Sequence, residues 1–101
     1  QFAGMLAERG VQFRPHFVNK IVSKNGDILT EIKSQSTDKV TASKASWDCV
    51  HQALWDVVNG RKGTAKAARQ KGWDVYGTTG TAQNPHGEDH AWFIGFSLDE
   101  R

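Results

Sequence analysis

The spacing of hydrophobic and polar positions divides the chain into alternating helical and extended stretches. Phe2, Met5, Leu6 and Arg9 fall at helical spacing, with Gly10 as a suitable stop. Val11 to Phe13 leads to Arg14-Pro15-His16, where proline forces an extended backbone. Phe17 to Ser23 and Ile28 to Ile32 are rich in β-branched residues and flank Asn25-Gly26, which predicts a hairpin within 11–33. Lys33 to Ala42 is polar and reads as irregular. Trp47, Val50, Leu54 and Val57, with Val58 beside them, then form an amphipathic stripe that predicts a helix, capped by Ser43 or Ser46 and stopped by Gly60. Thr64 is placed to cap a short helix from Ala65 to about Gln70, closed by Gly72. Together 43–71 is a helical region and 72–98 a second hairpin.

That second hairpin carries the most distinctive stretch, Tyr76-Gly77-Thr78-Thr79-Gly80-Thr81-Ala82-Gln83. Trp73, Val75 and Tyr76 lead into it, the polar loop Asn84 to His90 follows, and Ala91-Trp92-Phe93-Ile94-Gly95-Phe96 returns. Glycine weakens a strand interior and often marks close approach of a ligand or another backbone. Gly77 and Gly80 therefore suggest a binding edge. With a two-residue period, Thr79 and Thr81 share one face, and Thr78 and Gly80 share the other. Paired hydroxyls offer donors to a carboxylate or carbonyl. The plainer account is that threonine is a good strand former. In the returning strand neither face is charged, so both are expected to be covered, as in a sheet with helices on each side.

Composition narrows the function classes. The 101 residues suffice for one domain with a modest core. A formal charge of +2, with the charges interspersed, gives no argument for a nucleic-acid partner. Arg61, Lys62, Lys66, Arg69 and Lys71 read as a solvated helix-end face rather than a phosphate or headgroup site. The single cysteine, Cys49, excludes an intrachain disulfide and reads as a small core residue, not a nucleophile. His51 lies on or beside the apolar stripe and reads as structural rather than as a catalytic base. His86, Glu88, Asp89 and His90 are types that suit a divalent metal, but they crowd a loop without helical spacing, so the expectation is a polar loop, no metal and no cofactor. Gln1 to Leu6 reads as mid-helix and Arg101 follows directly on a strand, so the expectation is a fragment of a larger protein, with export or anchoring signals upstream.

Gly77-Thr78-Thr79-Gly80-Thr81-Ala82-Gln83, with Asn84-Pro85-His86-Gly87 and Trp92-Phe93-Ile94-Gly95-Phe96, resembles the third motif of the penicillin-binding proteins, Lys-Thr/Ser-Gly on the strand lining a serine D,D-transpeptidase site. The resemblance extends to Arg14-Pro15-His16, the run Trp47 to Asn59 and Gly63-Thr64-Ala65, and is strongest to class B enzymes of the penicillin-binding protein 2 type. It implies an α+β fold, an antiparallel sheet with packed helices, here the C-terminal part of a transpeptidase domain without its nucleophile helix, final strand and final helix.

The resemblance also implies roles. Thr78, Thr79, Gly80 and Thr81 would line the substrate site. Thr79 would bind the carboxylate of substrate or drug, assisted by the Thr81 hydroxyl. The Thr81 N–H would form half of the oxyanion hole, and Gly80 would admit substrate. The implied reaction is serine acyl transfer between peptidoglycan stem peptides, with β-lactams acylating the same serine; this chain alone would be inactive. Implied partners are the stem peptide, β-lactams, the remainder of the domain and cell-elongation wall-synthesis proteins, on the periplasmic face of the bacterial inner membrane. A second copy completing the sheet is a further possibility.

The sequence departs from the family where Thr78 occupies the lysine position, which removes a positive charge beside the substrate carboxylate. Ser36-Thr37-Asp38-Lys39 has the Ser-x-x-Lys form of the nucleophile motif, but it lacks helical periodicity and lies too near the third motif, so it is read as a chance match. The second motif, Ser-x-Asn, is read as absent from the chain. Two other classes remain: a non-catalytic relative acting as scaffold or ligand sensor, and an unrelated α+β binding module.

Overall fold

The computed structural model describes residues 1–98. The chain forms two units, Gln1–Val40 and the stretch from Thr41 onward. Each combines a helix with antiparallel two-stranded ladders, an α+β arrangement.

In the first unit, helix α1 (Phe2–Ala7) leads into strand β1 (Val11–Phe13). Gly10 turns the chain with φ +99°, and its amide donates to the Met5 carbonyl at 2.8 Å. Strands β2 (Lys20–Val22) and β3 (Ile28–Glu31) form the expected hairpin, with Gly26 at φ +91° in its turn. The expectation of an irregular stretch over 33–42 is corrected, because Ser36–Lys39 is strand β4, paired antiparallel with β1. All of its residues are exposed, so no apolar alternation marks it in the sequence. Backbone pairing defines it instead, flanked by bonds from Arg14 N–H to the Gln35 carbonyl and from Val40 N–H to the Gly10 carbonyl, each 2.9 Å.

The second unit is built on helix α2 (Lys44–Asn59) and the ladder of β5 (Val75–Ala82) with β6 (His90–Ser97). Ser43 is the N-cap, its hydroxyl accepting from Ser46 N–H at 3.1 Å. At the other end Gly60 has an ordinary φ of −67°, so its use is not conformational; a Cβ there would lie 2.5 Å from the Asp56 carbonyl oxygen. The buried side of α2 follows the expected stripe, half-buried Val57 included, and departs from it only at Val50. His51 and Val58 are buried and Trp47, Leu54 and Trp55 half-buried, whereas Val50 is exposed. Cys49 is exposed as well, which corrects its reading as a core residue; two positions before His51, it points to the opposite side of the helix.

His51 packs against Tyr76 and Phe96, with ring centroids 5.7 Å from each, and those two rings stack across the ladder at 5.2 Å. This contact covers one end of one sheet face. Trp92 (62% exposed) and Ile94 (51%) continue that face uncovered, and Phe93 on the opposite face is exposed too, so the expected two-sided cover is not present among the described residues. An uncharged strand signals burial without saying what does the burying, and the described residues supply only α2.

Candidate functional site

The register pairs Val75 with Ser97, Gly77 with Gly95, Thr79 with Phe93 and Thr81 with Ala91 without interruption. Thr79 and Thr81 therefore share a face with Phe93, and Thr78 and Gly80 share the other with Ile94 and Trp92. Thr78, Thr79, Gly80 and Thr81 are all exposed. The structure thus brings the four sequence-selected residues together on one open strand, with the paired hydroxyls on a common face.

The ladder also determines which amides point away from it. In an antiparallel pair, alternate residues turn both N–H and C=O toward the partner strand. A Cβ on Gly95 would lie 2.6 Å from the Tyr76 carbonyl oxygen, and one on Gly77 would lie 2.9 Å from that of Ile94. Those carbonyls therefore point into the ladder, and by this alternation Tyr76, Thr78, Gly80 and Ala82 are the residues of β5 bonded to β6. Val75, Gly77, Thr79 and Thr81 direct their backbone groups to the outer edge. The Val75 carbonyl accepts Asn59 Nδ2 at 2.9 Å from that side.

Asn59, the last residue of α2, is a clamp that sequence patterning did not single out. Its Nδ2 also donates to the Trp55 carbonyl at 3.2 Å, and its own carbonyl accepts Arg69 Nη2 at 2.6 Å. Trp55 Nε1 donates to Asp74 Oδ1 at 3.3 Å, just before β5. These bonds fix the end of α2 along the start of the candidate edge.

Two expectations near the edge change. The short helix over 65–70 is a single 3-10 turn, Lys66–Ala68, and Thr64 does not cap it. The Thr64 hydroxyl instead meets the Thr79 hydroxyl at 3.1 Å. No local sequence signal announces a contact between residues fifteen apart on different elements.

The loop between β5 and β6 uses its polar groups on itself. Asp89 Oδ1 accepts from Asn84 N–H, and Asn84 Oδ1 from His86 N–H, both at 3.1 Å. Among the described residues no group of three metal-ligating side chains converges, so the metal alternative for His86, Glu88, Asp89 and His90 has no geometric support.

The serine motifs fall in the first unit. Ser36 and Lys39 lie three apart on strand β4, which sends their side chains to opposite faces about 10 Å apart along the strand, so the lysine does not reach the serine hydroxyl. The reading that Ser-x-Asn is absent is corrected, because Ser23-Lys24-Asn25 has that form. It occupies the β2–β3 turn, where the Ser23 hydroxyl accepts from the amides of Asn25 and Asp27, both at 3.2 Å. That is turn chemistry.

Comparison with known proteins places this geometry in a family. The model for the penicillin-binding protein transpeptidase domain matches residues 1–100, and the chain belongs to that family. Among solved structures it resembles the D,D-transpeptidase domain of a peptidoglycan glycosyltransferase from Eggerthella lenta, with TM-score 0.77 and 30% identity over 94% of this chain and 22% of that one. Penicillin-binding protein 2B of Streptococcus pneumoniae shares the fold, with TM-score 0.73 and 21% identity over 97% of this chain and 17% of that one. By sequence, penicillin-binding protein 1A of Mycolicibacterium smegmatis is 27% identical over 92 residues, which are 91% of this chain and 12% of that protein. The chain thus spans a small part of the length of the relatives it matches. No helix among the described residues is long and apolar enough to cross a membrane.

Proposed function

We propose that the β5 edge is one wall of a serine D,D-transpeptidase site that cross-links peptidoglycan stem peptides and is acylated by β-lactams. The observation that carries this reading is the joint exposure of the Thr79 and Thr81 hydroxyls with outward-facing amides at the same two residues. A stem peptide ends in a carboxylate and is attacked at a carbonyl. Thr79 Oγ1 donates to the carboxylate, with the Thr81 hydroxyl assisting. The Thr81 amide donates to the oxyanion formed on attack, and such donors are typically worth about a hundred- to a thousandfold in rate. Gly80 leaves room for substrate, since a Cβ there would meet nothing within 4 Å.

The nucleophile comes from outside this chain, from the remainder of the transpeptidase domain, and the chain alone turns over nothing. The exposed apolar residues Trp92, Phe93 and Ile94 are where that remainder packs. The parent protein acts on the periplasmic face of the inner membrane with the wall-synthesis machinery of cell elongation, in the manner of a class B enzyme. The test is labelling of the full-length protein with a fluorescent penicillin: covalent, saturable labelling is expected, and none at any concentration with folded protein refutes the reading.

A second reading is favoured by position 78. Thr78 is uncharged, and its hydroxyl lies 3.5 Å from the Thr79 carbonyl. A family member without the lysine charge serves as a scaffold or ligand sensor. Reversible binding of a β-lactam without acylation distinguishes this from the enzyme.

A further inference from the structure

We infer that Thr64 is a positioning residue that fixes the Thr79 side chain and aims its hydroxyl proton into the site, toward a bound carboxylate; the inference rests on the reading of Thr79 as the carboxylate donor. Thr64 sits in a stretch of backbone with little freedom. Ala65 is 6% exposed, and its amide donates to the Val57 carbonyl at 2.9 Å, folding the chain back on the end of α2. Gly63 donates to the Gly60 carbonyl at 3.1 Å, and a Cβ on Gly63 would lie 2.6 Å from the Asp56 carbonyl oxygen. The backbone on both sides of Thr64 is thereby fixed, and Thr79 is fixed by the ladder. The 3.1 Å contact joins two anchored hydroxyls.

The direction of the bond follows from proton count. A hydroxyl has one proton to donate and lone pairs to accept. If Thr79 gave its proton to Thr64, it would face a carboxylate with lone pairs only. Binding an anion therefore requires Thr64 to donate and Thr79 to accept, leaving the Thr79 proton for the ligand. Hydroxyls linked in this order also polarise one another. Without Thr64 the Thr79 side chain is exposed and free to turn among its χ1 wells.

The experiment uses the full-length protein with Thr64→Val, which keeps the shape, and Thr64→Ser, which keeps the hydroxyl. The Thr79 γ-methyl group, followed by NMR without ligand, is expected to report one χ1 rotamer in the parent and in Thr64→Ser, and an average in Thr64→Val. Acylation by benzylpenicillin is expected to slow by up to about tenfold in Thr64→Val, the effect of one neutral hydrogen bond, and to recover in Thr64→Ser. A Thr79 that stays in one rotamer in Thr64→Val overturns the proposal, as does an unchanged acylation rate in that variant. If the parent protein is not acylated at all, the transpeptidase reading fails, while the rotamer measurement still decides the role of Thr64. Should Thr64→Val not fold, Thr64→Ala takes its place in both measurements.

Discussion

The ring of Phe93 occupies the space a Cβ on Gly77 would need, across the ladder from the neighbouring register pair. The same ring lies 2.8 Å from a Cβ built on Gly95, so two paired glycines make its seat. Gly80, three residues further along β5, has open space around it. The two glycines of the motif therefore differ in kind. Gly77→Ala is expected to destabilise the protein by about 1–3 kcal/mol, because the Ile94 backbone as well as the ring must shift. Gly80→Ala is expected to stay within about 0.5 kcal/mol of the parent, as surface changes away from special features do, and yet to lose penicillin labelling. Denaturant midpoints and labelling, measured side by side, check both. Equal destabilisation by the two changes would show that the Phe93 seat is not what distinguishes them.

Ser43, not Ser46, caps α2. The Ser43 hydroxyl accepts the Ser46 amide, while Ser46 contributes its amide and a hydroxyl contact at 2.9 Å. Ser43→Ala is expected to cost about 1 kcal/mol of stability and Ser46→Ala clearly less. Thermal unfolding of the two variants is the check, and a larger loss at Ser46 would move the cap.

Asn59 holds two carbonyls, Trp55 at the end of α2 and Val75 at the start of β5. Asn59→Ala leaves both without this donor at a half-buried site and is expected to cost about 1–3 kcal/mol. Asn59→Asp is expected to be worse, since its carboxylate would face the same carbonyls as acceptor against acceptor. Unfolding free energies order the three proteins, and an aspartate as stable as the asparagine would mean that the clamp contributes nothing.

These contacts also show what the sequence could and could not reveal. Helix α2, the β2–β3 hairpin and the β5–β6 hairpin each carry a local signal: a three-to-four period, Asn25-Gly26, or two apolar runs around a Pro/Gly/Asn loop. The face shared by Thr79 and Thr81 follows from the two-residue period alone. Strand β4 carries no such signal, because an exposed strand needs no apolar alternation. On α2 the period finds Trp47, Leu54, Val57 and Val58 on the packed side but not the exchange of exposed Val50 for buried His51, one residue on, because the stacked rings of Tyr76 and Phe96 that receive His51 lie on another element. The Thr64–Thr79 contact and the Asn59 clamp join elements far apart in sequence, and polar residue types alone do not reveal their partners.

Thr78 gives the sharpest chemical test. It sits on the face opposite Thr79, pairs with Ile94 through the ladder, and is exposed. A longer side chain there meets solvent, so Thr78→Lys is expected to leave stability within about 0.5 kcal/mol of the parent. On the proposed reading of the β5 edge, a flexible lysine there can bring its ammonium round the strand edge to the ligand carboxylate, and such a charge-assisted bond is expected to add about 1.5–3 kcal/mol, or roughly one to two powers of ten in affinity or acylation rate. Because the gain is electrostatic at an open site, it is expected to shrink as salt is raised. Labelling of the full-length protein by fluorescent penicillin, with threonine and with lysine at this position and at low and high ionic strength, measures it. Equal labelling of the two proteins would mean that position 78 does not act on the bound carboxylate.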